Sequence, residues 1–465
     1  MNKKSTPLPQ SREVIKEMSE AIQATFSDFE VPVKIVDAIE GYRQFHFYLQ
    51  PQKPVRMKAI RTFEDDLRFA LGSDKVEIEA PIPDKKLIGI TVPKKGPFPV
   101  LPWADEIRTA NFKQSGNLEI PLGIDEFGEK VSIDIPKLPH VLIAGTTGSG
   151  KSVILHSILN SLLEKNTPDT MRFILCDPKR VELTVYNDLP ELLTPVITSA
   201  KKMILALKWA IKEMERRYDI LESEKVQNIS QYHKEIYEPS LKGKKKDDEV
   251  ESIPYIIIAV DELADLMHAY PKEFEASIVR LAQMSRAVGI HLVLATQRPS
   301  GNVLTGSIKA NIPSRIALSV ASYVDSRMVL DMNGAEKLAG MGDMLFLGSD
   351  MSQPIRLQAH HLSDEEVVAR VKRIKKEQYD VFTLDLEPSS DQFFAPYDGE
   401  EDDLYEEAKQ AVIEAGKAST SFLQRKLRIG YSRTARLMDL LEERGVIGPA
   451  DGSAPREIIS KENNV

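Results

Sequence analysis

The chain has 465 residues, 42% hydrophobic and 28% charged, with a net charge of −9 at pH 7, an ordinary globular composition long enough for about three domains of ~150 residues. No apolar run reaches the ~18 residues of a membrane span, no apolar segment follows the basic start, and the lone Cys176 excludes an internal disulfide, so a cytoplasmic chain with no membrane insertion is expected. The acidic balance argues mildly against nucleic acid, although local charge decides that question.

Residues 1–105 read as a small α+β domain. Val33 and Ile35 alternate, as do Phe45, Phe47 and Leu49, which predicts two strands. Phe63, Leu67, Ala70 and Leu71 share a helical face. Val76 and Ile78, then Leu87, Ile88, Ile90 and Val92, predict two more short strands around the Pro81–Pro83 turn. This segment carries no chemistry, and a docking or oligomerisation module is expected.

Residues 106–390 alternate strand and helix in the α/β manner. Strands are predicted at 140–144, 172–176, 255–260, 290–295 and 315–319, with helices near 152–163, 200–221 and 272–286. The strand Val141–Ala144 runs into Gly145-Thr146-Thr147-Gly148-Ser149-Gly150-Lys151-Ser152, a Gly-x-x-x-x-Gly-Lys-Ser loop. Val153 then opens a helix-period run through Ile154, Leu155, Ile158, Leu159 and Leu162. Strand, loop and helix in this order are what a phosphate-binding P-loop requires. The glycines let backbone N–H groups face an anion, and the helix N-terminus adds partial positive charge. Residues 145–153 are the expected nucleotide-binding set. Lys151 reaches the β- and γ-phosphates and Ser152 ligates Mg²⁺, so ATP and Mg²⁺ are the expected cofactors.

Tyr255–Val260 ends in Asp261 and Glu262. Asp261 is expected in the Mg²⁺ shell beside Ser152, and Glu262 is expected to orient the attacking water. Two acids at a strand end also make good helix N-caps, but the P-loop upstream favours catalysis. The strand His291–Ala295 leads to Thr296-Gln297-Arg298. The order of strands fits the RecA-like branch of P-loop proteins, in which a polar residue ending a later strand senses the γ-phosphate. Gln297 is the candidate and Thr296 the alternative, with a plain strand-end cap as the competing reading. Leu241–Glu251 is charge-rich and reads as a surface loop.

Pro388, Ser389, Ser390, Pro396, Gly399 and a run of acids mark a linker, placed at 391–402. Residues 403–465 read as a winged helix. Leu404, Ala408, Ala411 and Val412 make its first helix, and Ser419–Leu427 its second. Ser432–Glu443 is the recognition helix, with Ala435, Leu437, Met438 and Leu441 buried. Arg425, Lys426, Arg428, Arg433 and Arg436 carry no acid among them, and Ser432 precedes the helix. A charge run is often only a solvated face. Here it coincides with the N-terminus of a recognition helix, where major-groove contacts are made.

The stretch Leu138–Ser152 resembles the FtsK/SpoIIIE family of DNA translocases, as do Asp177-Pro-Lys-Arg-Val-Glu182-Leu, Glu213–Tyr218, Ala295–Ser300, Lys309–Ala317, Asp325-Ser-Arg327 and Gly340–Met344. The resemblance runs from about residue 30 to 460. It implies a RecA-like motor in a homo-hexameric ring around double-stranded DNA, with ATP between subunits and an arginine supplied by the neighbour. Arg286 matches that arginine, while its spacing alone equally suits a cation at a helix C-terminus before Gly289. Arg298 and Arg327 match DNA-facing pore positions, with a structural ion pair to acids such as Asp325 as the competing reading. Tyr323 stands where the family often has Lys, and Ser432 where many relatives have Asn. The resemblance also implies recombinase or division-machinery partners. The function expected is an ATPase that moves double-stranded DNA for chromosome segregation or DNA transfer; the alternative is a transport or coupling ATPase for protein or nucleoprotein.

Overall fold

Alternating apolar residues near the start of the chain build an antiparallel sheet. Its strands are β1 (Val33–Glu40), β2 (Gln44–Pro51), β3 (Glu77–Glu79) and β4 (Ile88–Pro93), in the order β1-β2-β4-β3. Phe45, Phe47 and Leu49 of β2 and Ile88, Ile90 and Val92 of β4 are buried with Leu67 of the Glu64–Leu71 helix. Ile22 and Phe26 of the Pro9–Asp28 helix complete this core. Each such side chain contributes ~1.5–3 kcal/mol relative to exposure. The Pro9–Asp28 helix was not among the expected elements, although Ile15, Met18, Ile22 and Phe26 have helical spacing. The structure is a computed structural model describing residues 9–82, 86–94, 100–241 and 250–375, together with scattered positions between 383 and 448.

A nine-stranded sheet follows: β5 (Glu119–Asp125), β6 (Lys130–Asp134), β7 (His140–Ala144), β8 (Met171–Cys176), β9 (Tyr255–Val260), β10 (Ile290–Thr296), β11 (Ser314–Leu318), β12 (Asp343–Leu347) and β13 (Ile355–Ala359). Its order is β6-β5-β13-β12-β11-β7-β10-β9-β8. The five strands β11-β7-β10-β9-β8 are parallel, and β12, β13, β5 and β6 extend them antiparallel. Every residue of β7, β8, β10 and β11 is buried, which explains why these strands read as mainly apolar runs, interrupted by Arg172, His291 and Arg315. Because the five run the same way, Ala144, Cys176, Val260, Thr296 and Leu318 all end at one edge. In open α/β sheets that edge is where ligands bind. Trp103 packs into this sheet's core and donates through its indole to Ser161 Oγ at 2.9 Å, so the chain enters the larger core before the expected boundary at 105.

The Glu213–Tyr218 segment lies on the Ala200–Ser223 helix and has a structural role. Arg217 is 2% exposed, pairs with Glu213 at 2.7 Å and donates to the Val288 carbonyl at 2.9 Å. Tyr218 donates to the Met284 carbonyl at 2.6 Å. Together they hold the turn after the Pro271–Met284 helix, which ends before Arg286 rather than at it.

Residues Met1–Ser389 and Ser390–Val465 are two compact units. In the second, the Tyr405–Ala415 helix buries Ala408, Ala411 and Val412 with Leu437, Met438 and Leu441, as the amphipathic pattern predicts. Leu404, Ala435, residues 242–249 and the linker at 391–402 lie outside the described residues. Among the described residues no helix is long and apolar enough to cross a membrane.

Removing Arg217 leaves Glu213 with the half-exposed Arg216 as its partner, empties a buried volume and frees the Val288 carbonyl. Arg217→Ala is expected to lower stability by about 2–5 kcal/mol, mainly through lost packing, read as a shift in the urea unfolding midpoint.

Candidate functional site

The loop after β7 is held by its neighbours on both sides. Gly145 N–H donates to the Thr296 carbonyl of β10 at 3.2 Å, and Thr146 N–H and Oγ1 both donate to the Ser319 carbonyl after β11 at 3.0 Å. Gly148 and Gly150 have φ of 78° and 104°, left-handed values that favour glycine. A Cβ on Gly150 would also come within 2.6 Å of the Gly342 nitrogen. The Lys151–Lys165 helix starts directly from this turn.

Lys151 is the centre of the site. Its side chain is 3% exposed and meets Asp261, itself 1% exposed, through Oδ1 and through the backbone carbonyl, the latter at 2.7 Å. An ammonium has three donors, so one remains for a phosphate oxygen. Burial pushes the Asp261 carboxyl up, and the Lys151 charge pulls it partly back. Asp261 Oδ2 is buried without a hydrogen-bond partner. Ser152 is the second residue of the adjoining helix. A spare carboxylate oxygen and a hydroxyl are donor types that suit a hard divalent cation of the Mg²⁺ type.

Glu262 is also 1% exposed. It accepts from Thr296 Oγ1 at 2.7 Å, from the Gln297 amide at 3.2 Å and from Lys179 Nζ at 3.1 Å. Burial alone would raise its carboxyl, but these bonds hold it below the usual range. It also accepts from Ala264 N–H at 3.3 Å, so the cap reading and the site reading describe one residue. Gln297 bridges in the other direction, its Oε1 accepting from Thr147 Oγ1 of the loop at 3.0 Å. Of the two candidates at the end of β10, Thr296 bonds Glu262 and Gln297 bonds Thr147 of the loop.

A cavity of about 750 Å³ opens here, lined by Thr146, Thr147, Gly148, Gly150, Lys151, Ser152, Val153 and Gln297 among the expected residues. Gly145 and Ser149 lie beneath it, and Ser149 is 2% exposed. The cavity also takes in Glu182, which sequence reasoning left out of the site. His156, 3.7 Å away, and the Ser152 hydroxyl hold Glu182 below the usual carboxylate range. Glu182 and Lys179 were visible only as parts of a motif. Their partners lie far along the chain, and the fold alone brings them together.

Arg286 is exposed, donates to the Pro136 carbonyl at 3.2 Å and does not line the cavity of its own chain. Arg298 is exposed directly after Gln297. Arg327 is exposed on the Tyr323–Leu330 helix and donates to Asn333 Oδ1 at 3.0 Å rather than to Asp325, whose carboxylate accepts from Ser322 Oγ. Tyr323 is 58% exposed at the start of that helix. Lys426 is exposed in the C-terminal unit, while Arg425, Arg428, Ser432, Arg433 and Arg436 lie outside the described residues.

Comparison with known families matches residues 104–301 to the FtsK/SpoIIIE family, 1–94 to the FtsK alpha domain and 399–461 to the FtsK gamma domain, a winged helix. The chain belongs to the FtsK/SpoIIIE family. It is 46% identical over 459 residues to the DNA translocase FtsK of Caldanaerobacter subterraneus subsp. tengcongensis, covering 98% of this chain and 63% of that protein. It is 44% identical over 446 residues to the DNA translocase SftA of Bacillus subtilis, covering 96% of this chain and 46% of that one. The chain therefore spans about half to two-thirds of the length of these relatives. Among solved structures it is similar to the pCW3 conjugation coupling protein TcpA with ATPγS, at a TM-score of 0.54 and 26% identity, covering 77% of this chain and 99% of that one.

The Lys151–Asp261 contact is expected to be strongly coupled. In a double-mutant cycle with Lys151→Met and Asp261→Asn, urea unfolding of the ligand-free protein should give a coupling energy of about 2 kcal/mol. A value near zero would show that the buried pair does not hold the site together.

Proposed function

We propose that the chain is the motor of an ATP-driven translocase that moves double-stranded DNA for chromosome segregation or DNA transfer, working as a homo-hexamer. The observation that carries the reading is the convergence of Lys151, Asp261 and Glu262 at the end of the parallel strands, with all three side chains buried. The loop N–H groups and the third donor of Lys151 bind the phosphates. Ser152 and Asp261 are the residues that would hold Mg²⁺, which supplies positive charge to the phosphate oxygens when bound. Glu262, kept ionised by its donors, accepts a hydrogen bond from water and orients it toward the γ-phosphate. Gln297, already bonded to Thr147, would report the state of that phosphate to the next residue, Arg298.

Among the described residues that line the cavity, Arg43, from the turn between β1 and β2, is the one guanidinium. Arg286, exposed and held on the β6–β7 connection at Pro136, is available to a neighbouring copy and would stabilise charge there at the transition state. Arg298 and Arg327 would follow the DNA backbone, since guanidinium groups remain charged and offer many donors. The exposed Tyr323 would replace part of the grip by stacking or packing where the family often has Lys. The basic residues between Arg425 and Arg436 would let the C-terminal unit read DNA and set loading or direction.

The similarity to a conjugation coupling protein keeps a transport or coupling ATPase as the second reading. The translocase reading is favoured by relatives named DNA translocase at 44–46% identity over nearly the whole chain and by the gamma-domain match.

Two outcomes are expected. Duplex DNA should raise ATP hydrolysis several-fold, and the protein with ATP should displace a triplex-forming strand from duplex DNA; hydrolysis indifferent to DNA would overturn the translocase reading. Arg286→Ala and Asp261→Ala subunits, each inactive alone, should regain hydrolysis when mixed, because some interfaces then pair an intact site with an intact arginine. Intact mixed rings without activity would exclude an arginine supplied in trans.

A further inference from the structure

The turn that carries Arg286 is held more completely than an exposed turn requires. Every carbonyl from Met284 to Gly289 accepts a hydrogen bond. Ile290 N–H donates to Ser285 and Gly289 N–H to Arg286, at 3.1 and 3.3 Å. The remaining donors come from distant parts of the chain: Tyr218 Oη to Met284 at 2.6 Å, Ile229 N–H to Ala287 at 2.9 Å, Arg217 Nη1 to Val288 at 2.9 Å and Ile256 N–H to Gly289 at 2.9 Å. A surface turn can leave such groups to water; this one draws on two side chains of another helix. Arg217 is aimed by Glu213, one helical turn earlier, which accepts from its Nε at 2.7 Å. Gly289 has φ of 74°, and a Cβ there would come within 2.7 Å of Ile229 Cδ1. The segment on which Arg286 leans is fixed as well, because the buried His291 donates through Nδ1 to the Pro139 carbonyl at 3.0 Å. Within this frame the Arg286 side chain is exposed. Its Nε donates to the Pro136 carbonyl at 3.2 Å, and its Nη1 and Nη2 make no hydrogen bond among the described residues.

We propose that Arg217 and Tyr218 are positioning residues for Arg286: they fix the backbone from which its guanidinium enters the site of a neighbouring copy. The inference rests on the reading of Arg286 as an arginine supplied in trans. Neither residue touches the phosphates; both act through the turn. An arginine side chain carries about 2 kcal/mol of rotamer entropy, and a shift of its Cα is passed on to the guanidinium. A misplacement of about 1 Å costs roughly 100-fold in rate. Charge stabilisation at the transition state requires the charged group to be in place beforehand. Stability alone does not account for the choice of Arg217. An apolar side chain of similar volume would fill the same space at no loss, but it would supply no donor to Val288.

The test uses the full chain with duplex DNA, ATP and Mg²⁺, in rings checked by size. Tyr218→Phe removes one hydroxyl, and Arg217→Lys keeps the charge beside Glu213 but not the fork that serves Glu213 and Val288 together. Each variant should lower kcat by about 10-fold and leave KM for ATP within about 2-fold, the pattern of an interaction made in the transition state. Each is then mixed with an excess of Asp261→Ala subunits or of Arg286→Ala subunits. Asp261→Ala subunits supply a well-placed arginine, so activity per Tyr218→Phe or Arg217→Lys subunit should return to within about 2-fold of wild type. Arg286→Ala subunits supply none and should give no gain. A general loss of structure would damage the variant's own site, and neither partner would repair it. Unchanged kcat in either variant, or no recovery with Asp261→Ala under conditions where Arg286→Ala subunits do recover with it, overturns the positioning role and leaves the trans arginine standing. Failure of Arg286→Ala itself to recover with Asp261→Ala overturns the trans arginine, and the positioning role with it.

Discussion

The buried contact between Lys151 and Asp261 is the interaction on which the rest of this molecule depends. It ties the first residue of the helix after the phosphate loop to the residue that follows β9, across the intervening strand β10. Either charge alone at that depth would be costly, so the two are retained together. Their arrangement still leaves capacity on both partners: one ammonium donor and the carboxylate oxygen Oδ2. That spare capacity separates a binding site from a closed structural ion pair.

The second carboxylate is handled differently. Glu262 has four donors around it, and two of them, Thr296 Oγ1 and the Gln297 amide, come from the end of β10. The same strand end sends Gln297 to the phosphate loop and Arg298 into solvent. The proposed nucleotide and DNA contacts therefore come from adjacent residues directly after β10, every residue of which is buried.

Much of this was legible in the chain itself. The five parallel strands read as apolar runs, and the glycines and Lys151 of the loop have few other physical uses in that order. The antiparallel strands β5, β6, β12 and β13 were not anticipated, since each mixes buried and half-exposed positions without a regular alternation. The helix range around 272–286 ran past its true end at Met284 because the turn that stops it is set by Arg217 and Tyr218, which lie on another helix. Glu182 and Lys179 escaped the site for the same reason.

By itself the sequence determined the local chemistry: a loop whose backbone curls around an anion, two acids ending an apolar strand, and a basic cluster near the C-terminus. These depend on residue type and spacing along a few turns of chain. The tertiary structure alone decided which of those groups are buried, which atoms keep an unused donor or acceptor, and which residue faces away from its own cavity. Those properties arise where strands distant in sequence end side by side, and burial then fixes the strength of each charge.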